Sequence, residues 1–324
     1  MNLFIMEKIS QYRQVQELGF IQSEDEVLFT QSLGLYYSKT PDIGFSEVPF
    51  TGEMREVDYH KHLLKYPAPY KESGEGLIRG DLGGEMRFED RDYAEIIVMV
   101  DMDRKGFYGA YQIIEKLGYL SHPNITFCKM VAYDAKSLTK AFNGRSLIDE
   151  NLNRWVDEQR LKRTFEYWWR ANSHLVFGEA LKWADIKPDG AISKYQVYTL
   201  CLFRDVKTLS QDKLLKMLEK PKVLKKYTGS KASAGSSSSY YSIVEGLMTV
   251  GLISCENGVC RLSEKGSLFI GMLHPRTYDA ELPFRIEKWL SAADLDESRG
   301  KMKRYINQFF GRQLRYQRKV KKDA

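Results

Sequence analysis

Three carboxylates follow two short apolar runs of the chain. Glu7 comes directly after the run at 3–6, and Asp101 and Asp103 come after the run at 96–100. Carboxylates that are brought together repel one another unless a hard cation such as Mg²⁺ lies between them. The pattern therefore predicts a metal site that handles phosphates, with these three acids as ligands and Mg²⁺ as the cofactor.

Two predicted strands position these acids. Short apolar runs bounded by charged residues are typical of buried parallel strands, and a helix-like stretch follows each run. The first helix ends at Gly19, and the second, with apolar residues at helical spacing from Phe107 to Leu117, ends at Gly118. A further short strand is predicted over 126–131. Ligands of such sheets bind at the carboxyl ends of the strands, where the acids stand. The alternative is that the acids only cap the helices that follow them.

The two motifs together resemble the TOPRIM domain of topoisomerases, primases and some nucleases. The closer resemblance is to type IA DNA topoisomerases, whose chains open with a strand and Glu-Lys and later carry Asp-x-Asp-Arg-Glu-Gly. The resemblance implies an α/β TOPRIM domain in which Glu7, Asp101 and Asp103 bind Mg²⁺. It also implies catalytic roles for Glu7, Lys8 and Arg104. The matching residues are Glu7-Lys8 and Asp101-Met102-Asp103-Arg104-Lys105-Gly106.

One position of the second motif departs from the family pattern. Lys105 stands where the family has a third acid. A positive charge beside the metal weakens cation binding, so only weak Mg²⁺ binding is expected. Lys8 and Arg104 can still position a phosphate beside Glu7.

The composition is that of an ordinary globular chain. It has 324 residues, 43% of them hydrophobic, which is enough for more than one core. The formal net charge of +6 suits a polyanionic partner. No apolar run has the length of a membrane span and no secretory signal stands out, so we expect a cytoplasmic protein without membrane contact.

The four cysteines are too scattered for a zinc site. Cys255 and Cys260 can face each other across a hairpin, but no second pair completes a metal site. Without a secretory signal, we expect all four thiols to be reduced. The other two are Cys128 and Cys201.

The sequence divides into four predicted segments. Residues 1–150 form the TOPRIM-like α/β domain, and a mainly α-helical part follows it. This part comprises a DNA-binding segment at 151–228, a winged-helix-like module at 229–290 and a basic C-terminal helix or tail at 291–324. Within the first segment, the Gly- and Pro-punctuated stretch at 34–84 is predicted to be irregular.

The helical segment opens with a charged run at 151–172. In type IA topoisomerases an Arg-rich helix leads to an Asn and then to Ser-x-Gly-Arg-Val-Gln-Thr. Asn172 resembles the first of these features, and the stretch 192–199 loosely resembles the second. Gln196 and Tyr198 replace the family Arg and Gln, and an amide does not grip phosphate as a guanidinium does, so weaker DNA contact is expected. The DNA contacts implied by the resemblance up to this point are Lys8, Arg160, Arg163, Asn172, Ser193, Lys194 and Gln196.

A third match lies further along the chain. The pattern over 236–266 predicts a helix, a short hairpin and a second helix, the order found in a winged helix-turn-helix module. It also resembles the topoisomerase segment that begins Arg-Pro-Ser-Thr-Tyr, with two serines in place of Arg-Pro. This resemblance implies DNA contacts by Ser239 and Tyr240. The alternative for the serine run is a flexible linker, which the preceding stretch 229–235 favours.

The last segment is strongly basic. Residues 299–322 contain ten Lys or Arg residues and no acid, and apolar residues such as Met302, Ile306 and Phe309 interleave with them at helical spacing. This pattern predicts an amphipathic helix with one face packed on the protein and one face available to phosphates. The alternative is a tail that only keeps the chain soluble.

The gate of a type IA topoisomerase is missing from the pattern. That enzyme carries its nucleophilic tyrosine on an arch of two domains, which should interrupt this chain after Phe203. Roughly 35 residues separate Phe203 from Tyr240, fewer than the number of about 50 that a small domain needs. The string at 274–279, His-Pro-Arg-Thr-Tyr-Asp, is similar to the family's Tyr-Pro-Arg-Thr-Asp, but its place along the chain favours an ordinary surface turn for Tyr278.

These features predict a type IA topoisomerase-like protein that binds DNA, single-stranded DNA above all, and does not pass strands by itself. Three hypotheses remain open. The chain is a topoisomerase component whose tyrosine comes from a protein partner, a non-catalytic accessory that binds single-stranded DNA, or a TOPRIM nuclease in which metal-bound water replaces the tyrosine.

Overall fold

The computed structural model describes most of the chain, in two compact units. The first unit comprises Met1–Lys39 and Arg55–Arg160, and the second comprises Thr40–Met54 and Leu161–Ala324. In the part of the chain that is described, no helix is both long and apolar enough to cross a membrane. The predicted division into four segments stays a prediction. The described residues are 1–30, 43–54, 64–67, 92–187, 192–204, 206–219, 237–279 and 281–323, with backbone alone at 9, 64–67 and 237–239.

A six-stranded sheet forms the centre of the first unit. Its strand order is β3-β2-β1-β4-β5-β6. The four inner strands are parallel to one another, and β3 and β6 are antiparallel edge strands. The strands are β1 (Leu3–Met6), β2 (Glu26–Phe29), β3 (Leu64–Pro67), β4 (Ile96–Met99), β5 (Ile125–Phe127) and β6 (Ser146–Leu147).

Helices cover both faces of this sheet. Successive side chains along a strand point to opposite faces of the sheet. Leu3 and Ile5 of β1 therefore belong to one apolar cluster, while Phe4 and Met6 belong to another. The first cluster includes residues of α2 and of the start of α4, and the second includes residues of α1 and α3. The helices are α1 (Ile9–Glu17), α2 (Arg104–Lys116), α3 (Ala135–Asn143) and α4 (Glu150–Trp183).

The mixed α/β class and the mainly parallel sheet agree with the sequence analysis. Both strand-to-helix units are confirmed, and Gly19 and Gly118 follow their helices with φ of +71° and +78°, where glycine is favoured. The strand predicted over 126–131 corresponds to β5, which begins at Ile125 and is shorter than predicted. The stretch 34–84, which is predicted to be irregular, contains strand β3, which pairs with β2. The greater part of this stretch lies outside the described residues.

The second unit is mainly helical, with one small sheet. The antiparallel strands of this sheet are ordered β7-β9-β8. After the last part of α4, the elements are α5 (Lys194–Cys201), β7 (Thr208–Ser210), α6 (Gln211–Glu219), α7 (Ser237–Thr249), β8 (Ile253–Glu256), β9 (Val259–Leu262), α8 (Glu264–Gly271), α9 (Leu282–Leu290) and α10 (Leu295–Asp323).

The C-terminal helix α10 packs one face on the core of the second unit. The ring of Trp169 contacts the rings of Phe309 and Phe310, at centroid distances of 4.9 and 5.2 Å. Met302 and Ile306 on the same face are fully buried. The amphipathic helix predicted for this segment is confirmed. The basic residues that α10 exposes are Arg299, Lys303, Arg304, Arg315, Arg318, Lys319, Lys321 and Lys322.

A disulfide bond crosses the β8–β9 hairpin. Cys255 and Cys260 are paired in the strand register and joined through their sulfur atoms. The expectation of four reduced thiols is therefore wrong for this pair, because the register brings their side chains within bonding reach. Cys128 and Cys201 are free and buried.

Candidate functional site

Glu7 and Asp101 lie side by side because β1 and β4 are neighbouring parallel strands. Met6 pairs with Met99, so both strands end at the same edge of the sheet. Glu7 Oε2 accepts a hydrogen bond of 3.4 Å from the backbone N–H of Asp101. A Cβ atom on Gly106 would lie 2.8 Å from the carbonyl oxygen of Asp101 and 3.2 Å from Glu7 Oε2. The glycine of this motif therefore permits the close approach of the two segments.

The side chain of Lys8 reaches both acids. Its Nζ lies 3.2 Å from Asp101 Oδ2 and 4.0 Å from Glu7 Oε1. About half of the lysine side chain remains exposed, at 49%. The ammonium group thus supplies positive charge between two carboxylates that would otherwise repel each other.

The protonation of this pair follows its surroundings. Burial raises the pKa of Glu7, and repulsion from Asp101 raises it further, against the attraction of Lys8 and Lys105. Burial alone lowers the pKa of Lys8, but its hydrogen bond to Asp101 and its attraction to Glu7 outweigh this effect, so its pKa is raised. Lys8 therefore stays charged beside the acids.

Asp103 has a partner at the start of α2, and Arg104 has one in α4. Asp103 is the N-cap of α2, and its Oδ1 accepts a 2.7 Å hydrogen bond from the N–H of Gly106. Arg104 Nε lies 2.8 Å from the buried carboxylate of Glu158, which also binds Arg154 at 3.0 Å. The helix-cap alternative is thus observed for Asp103.

Gln11 is a positioning residue that the sequence analysis missed. Its buried Oε1 accepts hydrogen bonds from the backbone N–H groups of Glu7 and Lys8, at 3.0 and 2.9 Å. Its Nε2 donates to the hydroxyl of Tyr133 and lies 3.5 Å from Asp101 Oδ1. Gln11 supplies one half of a capping box, but Lys8 at the N-cap position has no acceptor oxygen, so the sequence does not carry the full signature of that motif.

Each of the three predicted metal ligands already has a partner within the protein. Asp103 is engaged by the cap of α2, and the carboxylates of Glu7 and Asp101 face the ammonium group of Lys8. Within the described ranges, no group of three or more His, Cys, Asp or Glu residues could hold a metal ion. Mg²⁺ binding at this place stays a prediction.

The chain has a structural likeness to solved proteins but no match by sequence family. No protein-family model matches the chain. No curated protein matches it either. Among solved structures, full-length topoisomerase I from Thermotoga maritima is similar over 63% of this chain, with 18% sequence identity and a TM-score of 0.36. The match covers 29% of the length of that enzyme.

Like Lys8, the other three predicted DNA-binding cations take part in ion pairs. In the first unit, Arg160 binds Glu115 at 3.0 Å. In the second unit, Glu166 accepts from Arg163 at 3.1 Å and from Lys194 at 3.4 Å. Burial alone raises the pKa of Glu166, but these two cations and Lys162 outweigh it and lower its pKa. The side chains of Arg163 and Lys194 are each only 10% exposed, so their charge serves the interior of this unit.

Asn172, Ser193 and Gln196 have structural contacts. Asn172 is fully buried, accepts from the N–H of Phe50 at 2.7 Å and donates to the carbonyl groups of Phe50 and Trp168. Ser193 and Gln196 form a reciprocal capping box at the start of α5, with bonds of 3.1 and 2.9 Å. These contacts explain why residues of these types stand at these positions without a ligand. Their predicted DNA contacts stay predictions.

Of two adjacent tyrosines in α7, the second is the exposed one. Tyr240 is 8% exposed and belongs to the apolar cluster with Ile243 and Leu247, whereas Tyr241 is 62% exposed. Helical spacing from Tyr240 to the apolar residues could have indicated this orientation. The side chain of Ser239 lies outside the described residues.

Proposed function

We propose that this chain is a cytoplasmic, type IA topoisomerase-like protein that binds single-stranded DNA and does not pass strands by itself. The observation that carries the proposal is the meeting of Glu7-Lys8 with Asp101 at the carboxyl ends of two neighbouring parallel strands. In open α/β sheets this edge is where ligands bind. Lys8 is half exposed there, so its charge remains accessible to a phosphate.

The order of elements in the second unit supports a winged-helix module. Helix α5, strand β7, helices α6 and α7 and the hairpin β8–β9 follow one another, and the sheet order is β7-β9-β8. In a winged-helix protein, the helix before the hairpin makes the main contacts with DNA. This role would fall to α7, which exposes Tyr241 and Met248. An exposed aromatic side chain suits stacking on an unpaired base.

The accessory hypothesis is favoured over the nuclease hypothesis by two contacts. Lys8 lies against Asp101, and Asp103 caps α2, so both acids have partners other than a metal. A nuclease that relies on metal-bound water needs free carboxylates at this place. We therefore propose DNA binding with at most weak Mg²⁺ binding. A protein partner would supply the nucleophilic tyrosine if the assembly cleaves DNA.

The test compares binding with cleavage. Fluorescence anisotropy with a labelled single-stranded oligonucleotide should show binding in EDTA as well as in Mg²⁺. The reason is that basic side chains, and not a metal ion, supply the positive charge that contacts the phosphates. The same samples on a denaturing gel should contain intact oligonucleotide and no protein–DNA adduct. A Glu7-dependent nick would select the nuclease instead, and a covalent adduct would select autonomous topoisomerase chemistry. Absence of binding under both conditions would refute the DNA-binding proposal.

A further inference from the structure

The string from His274 to Tyr278 forms a firmly held turn in the second unit. Arg204 donates hydrogen bonds to three successive carbonyl groups that enter the turn, those of Leu273 and His274 at 3.0 Å and that of Pro275 at 2.6 Å. From the other side, Gln313 Oε1 of α10 accepts from the N–H of His274 and from the hydroxyl of Thr277, each at 2.9 Å. The turn and the middle of α10 are therefore one rigid surface.

This surface concentrates positive charge. Arg276 of the turn is exposed, and its carbonyl oxygen lies 3.5 Å from Arg312 Nη2 of α10. Arg315 is exposed one turn further along the helix. None of these three arginines makes an ion pair with a residue of the described ranges. The nearby acid Asp279 is engaged by Arg285 and by the hydroxyl of Tyr305.

The imidazole of His274 lies among these positive charges, and it can donate a hydrogen bond. Burial lowers its pKa, and the charges of Arg312, Arg276, Arg204 and Arg315 lower it further. His274 Nδ1 accepts a 2.9 Å hydrogen bond from the N–H of Arg276, so the neutral ring carries its proton on Nε2. A neutral imidazole of this tautomer donates to an anionic oxygen without adding charge of its own.

Aromatic rings border the charged groups. The ring of Tyr316 lies edge-on to His274, with 5.3 Å between centroids. Tyr278 stacks on Tyr198 at the same distance and is 39% exposed. Guanidinium groups that grip phosphate, next to rings on which bases can stack, are the combination found in proteins that bind single-stranded nucleic acid.

We propose that His274, Arg276, Arg312 and Arg315 form a binding surface for the phosphodiester backbone of single-stranded DNA. We name it the His274 surface. The proposal rests on the DNA binding proposed above and assigns part of it to a place separate from the acids of the first unit. It also gives the string at 274–279 a role that does not need Tyr278 as a nucleophile.

A matched pair of triple variants tests the assignment. The first variant replaces Arg276, Arg312 and Arg315 by alanine. The control replaces Arg299, Lys303 and Arg304, which are exposed at the other end of α10, and so removes the same charge. Both full-length proteins and the wild type are titrated with a labelled single-stranded oligonucleotide at several salt concentrations. Circular dichroism melting confirms that both variants are folded.

The expected result is a loss of about tenfold in affinity for the first variant and of less than about threefold for the control. The slope of log K against log salt should also become shallower by about 2 in the first variant, since each single-strand phosphate contact contributes about 0.7. Equal losses of affinity in both variants would show that only the net positive charge of the protein affects DNA binding, and this result would overturn the His274 surface. Wild-type affinity in the first variant would overturn it as well, with DNA binding itself intact.

A second measurement reports on the imidazole directly. The pKa of His274, followed by NMR and assigned with His274→Gln, should rise when the wild type is saturated with oligonucleotide, because a phosphate favours the charged ring. If the protein binds DNA but the pKa of His274 does not change, the DNA contacts another part of the protein and the proposal is overturned. If the wild type does not bind the oligonucleotide at all, the proposed function fails together with this inference.

Discussion

Lys8 Nζ lies 3.2 Å from Asp101 Oδ2, so an ion pair joins the ends of β1 and β4 where three carboxylates were expected to share a metal ion. The lysine neutralises part of the negative charge that a cation would otherwise balance. A divalent ion at this place has to displace the ammonium group or bind beside it. Any Mg²⁺ affinity of this acidic centre therefore depends on competition with Lys8 as well as on the carboxylates.

Replacing Lys8 by methionine should strengthen Mg²⁺ binding. The change keeps the length of the side chain but removes the positive charge, so we expect a gain of about tenfold in affinity, limited by the solvent exposure of the pair. Isothermal titration calorimetry of the variant against the wild type measures it. Lys116→Met, at the exposed end of α2, is the matched control and should bind as the wild type does. Equal affinity in the Lys8 variant would contradict the proposed competition.

Asp103 should contribute to stability mainly as a helix cap. Asp103→Ala removes the acceptor for the N–H of Gly106 and should lower the free energy of unfolding by about 1 kcal/mol, measured by urea denaturation. Asp103→Asn keeps an acceptor oxygen and should remain within a few tenths of a kcal/mol of the wild type. Asp134→Ala, which removes the corresponding cap of α3, is a comparison of the same kind. A full loss in Asp103→Asn would mean that the charge, and not the cap, is required.

The strands of the site could be predicted because their signals are local. The apolar runs before Glu7 and Asp101 and the glycines after α1 and α2 each lie within a short window of sequence, and the structure confirms them. The pairing of Lys8 with Asp101 joins residues 93 positions apart, so no local pattern indicates it. The family resemblance implies a catalytic role for Lys8 beside the acids, but it does not indicate that the sheet brings the ammonium group of Lys8 against Asp101.

Burial of polar residues in the second unit was also beyond local patterns. Asn172 was expected to face DNA, yet its three hydrogen bonds go to backbone groups, two of them in a segment 122 residues away. The polar type alone does not tell a ligand-binding amide from one that satisfies buried backbone. By contrast, the exposed basic face of α10 follows from helical periodicity and was predicted.

The ion pair of Glu95 with Arg145 in the first unit should make the stability of the protein depend on pH. Glu95 accepts two hydrogen bonds from Arg145, at 2.7 and 2.9 Å, and these bonds, with one from Thr126, lower the pKa of the carboxyl group despite partial burial. A lowered pKa in the folded state stabilises the protein above the unfolded value of about 4.3, and this contribution is lost as the pH falls through the folded value. The difference in unfolding free energy between wild type and Glu95→Gln should therefore shrink on going from neutral pH to below 4.

Urea denaturation of both proteins across this pH range measures the effect. At neutral pH we expect Glu95→Gln to be less stable by about 1–3 kcal/mol, because a bond to a charged partner is weakened and Arg145 loses its counter-charge. Glu179→Gln, an exchange of the same kind at a more exposed pair with Lys182 and Lys321, should cost less. A difference that is constant with pH would contradict the role assigned to the Glu95–Arg145 pair.

The purified chain should not relax negatively supercoiled plasmid, with or without Mg²⁺. Relaxation needs a nucleophile, a scissile phosphate held near charged groups, and a gate that holds and passes the broken ends. Lys8 can hold a phosphate, but Asp101 and Asp103 have partners of their own, and the interval between Phe203 and Tyr240 is too short for an arch. A plasmid relaxation assay, run beside a binding assay on the same preparation, measures both activities.

We expect binding without a change of topoisomers, and Tyr278→Phe should behave as the wild type does in both assays. Robust relaxation that is lost in Tyr278→Phe would make the string at 274–279 an active site and would refute the view that this chain lacks its own nucleophile.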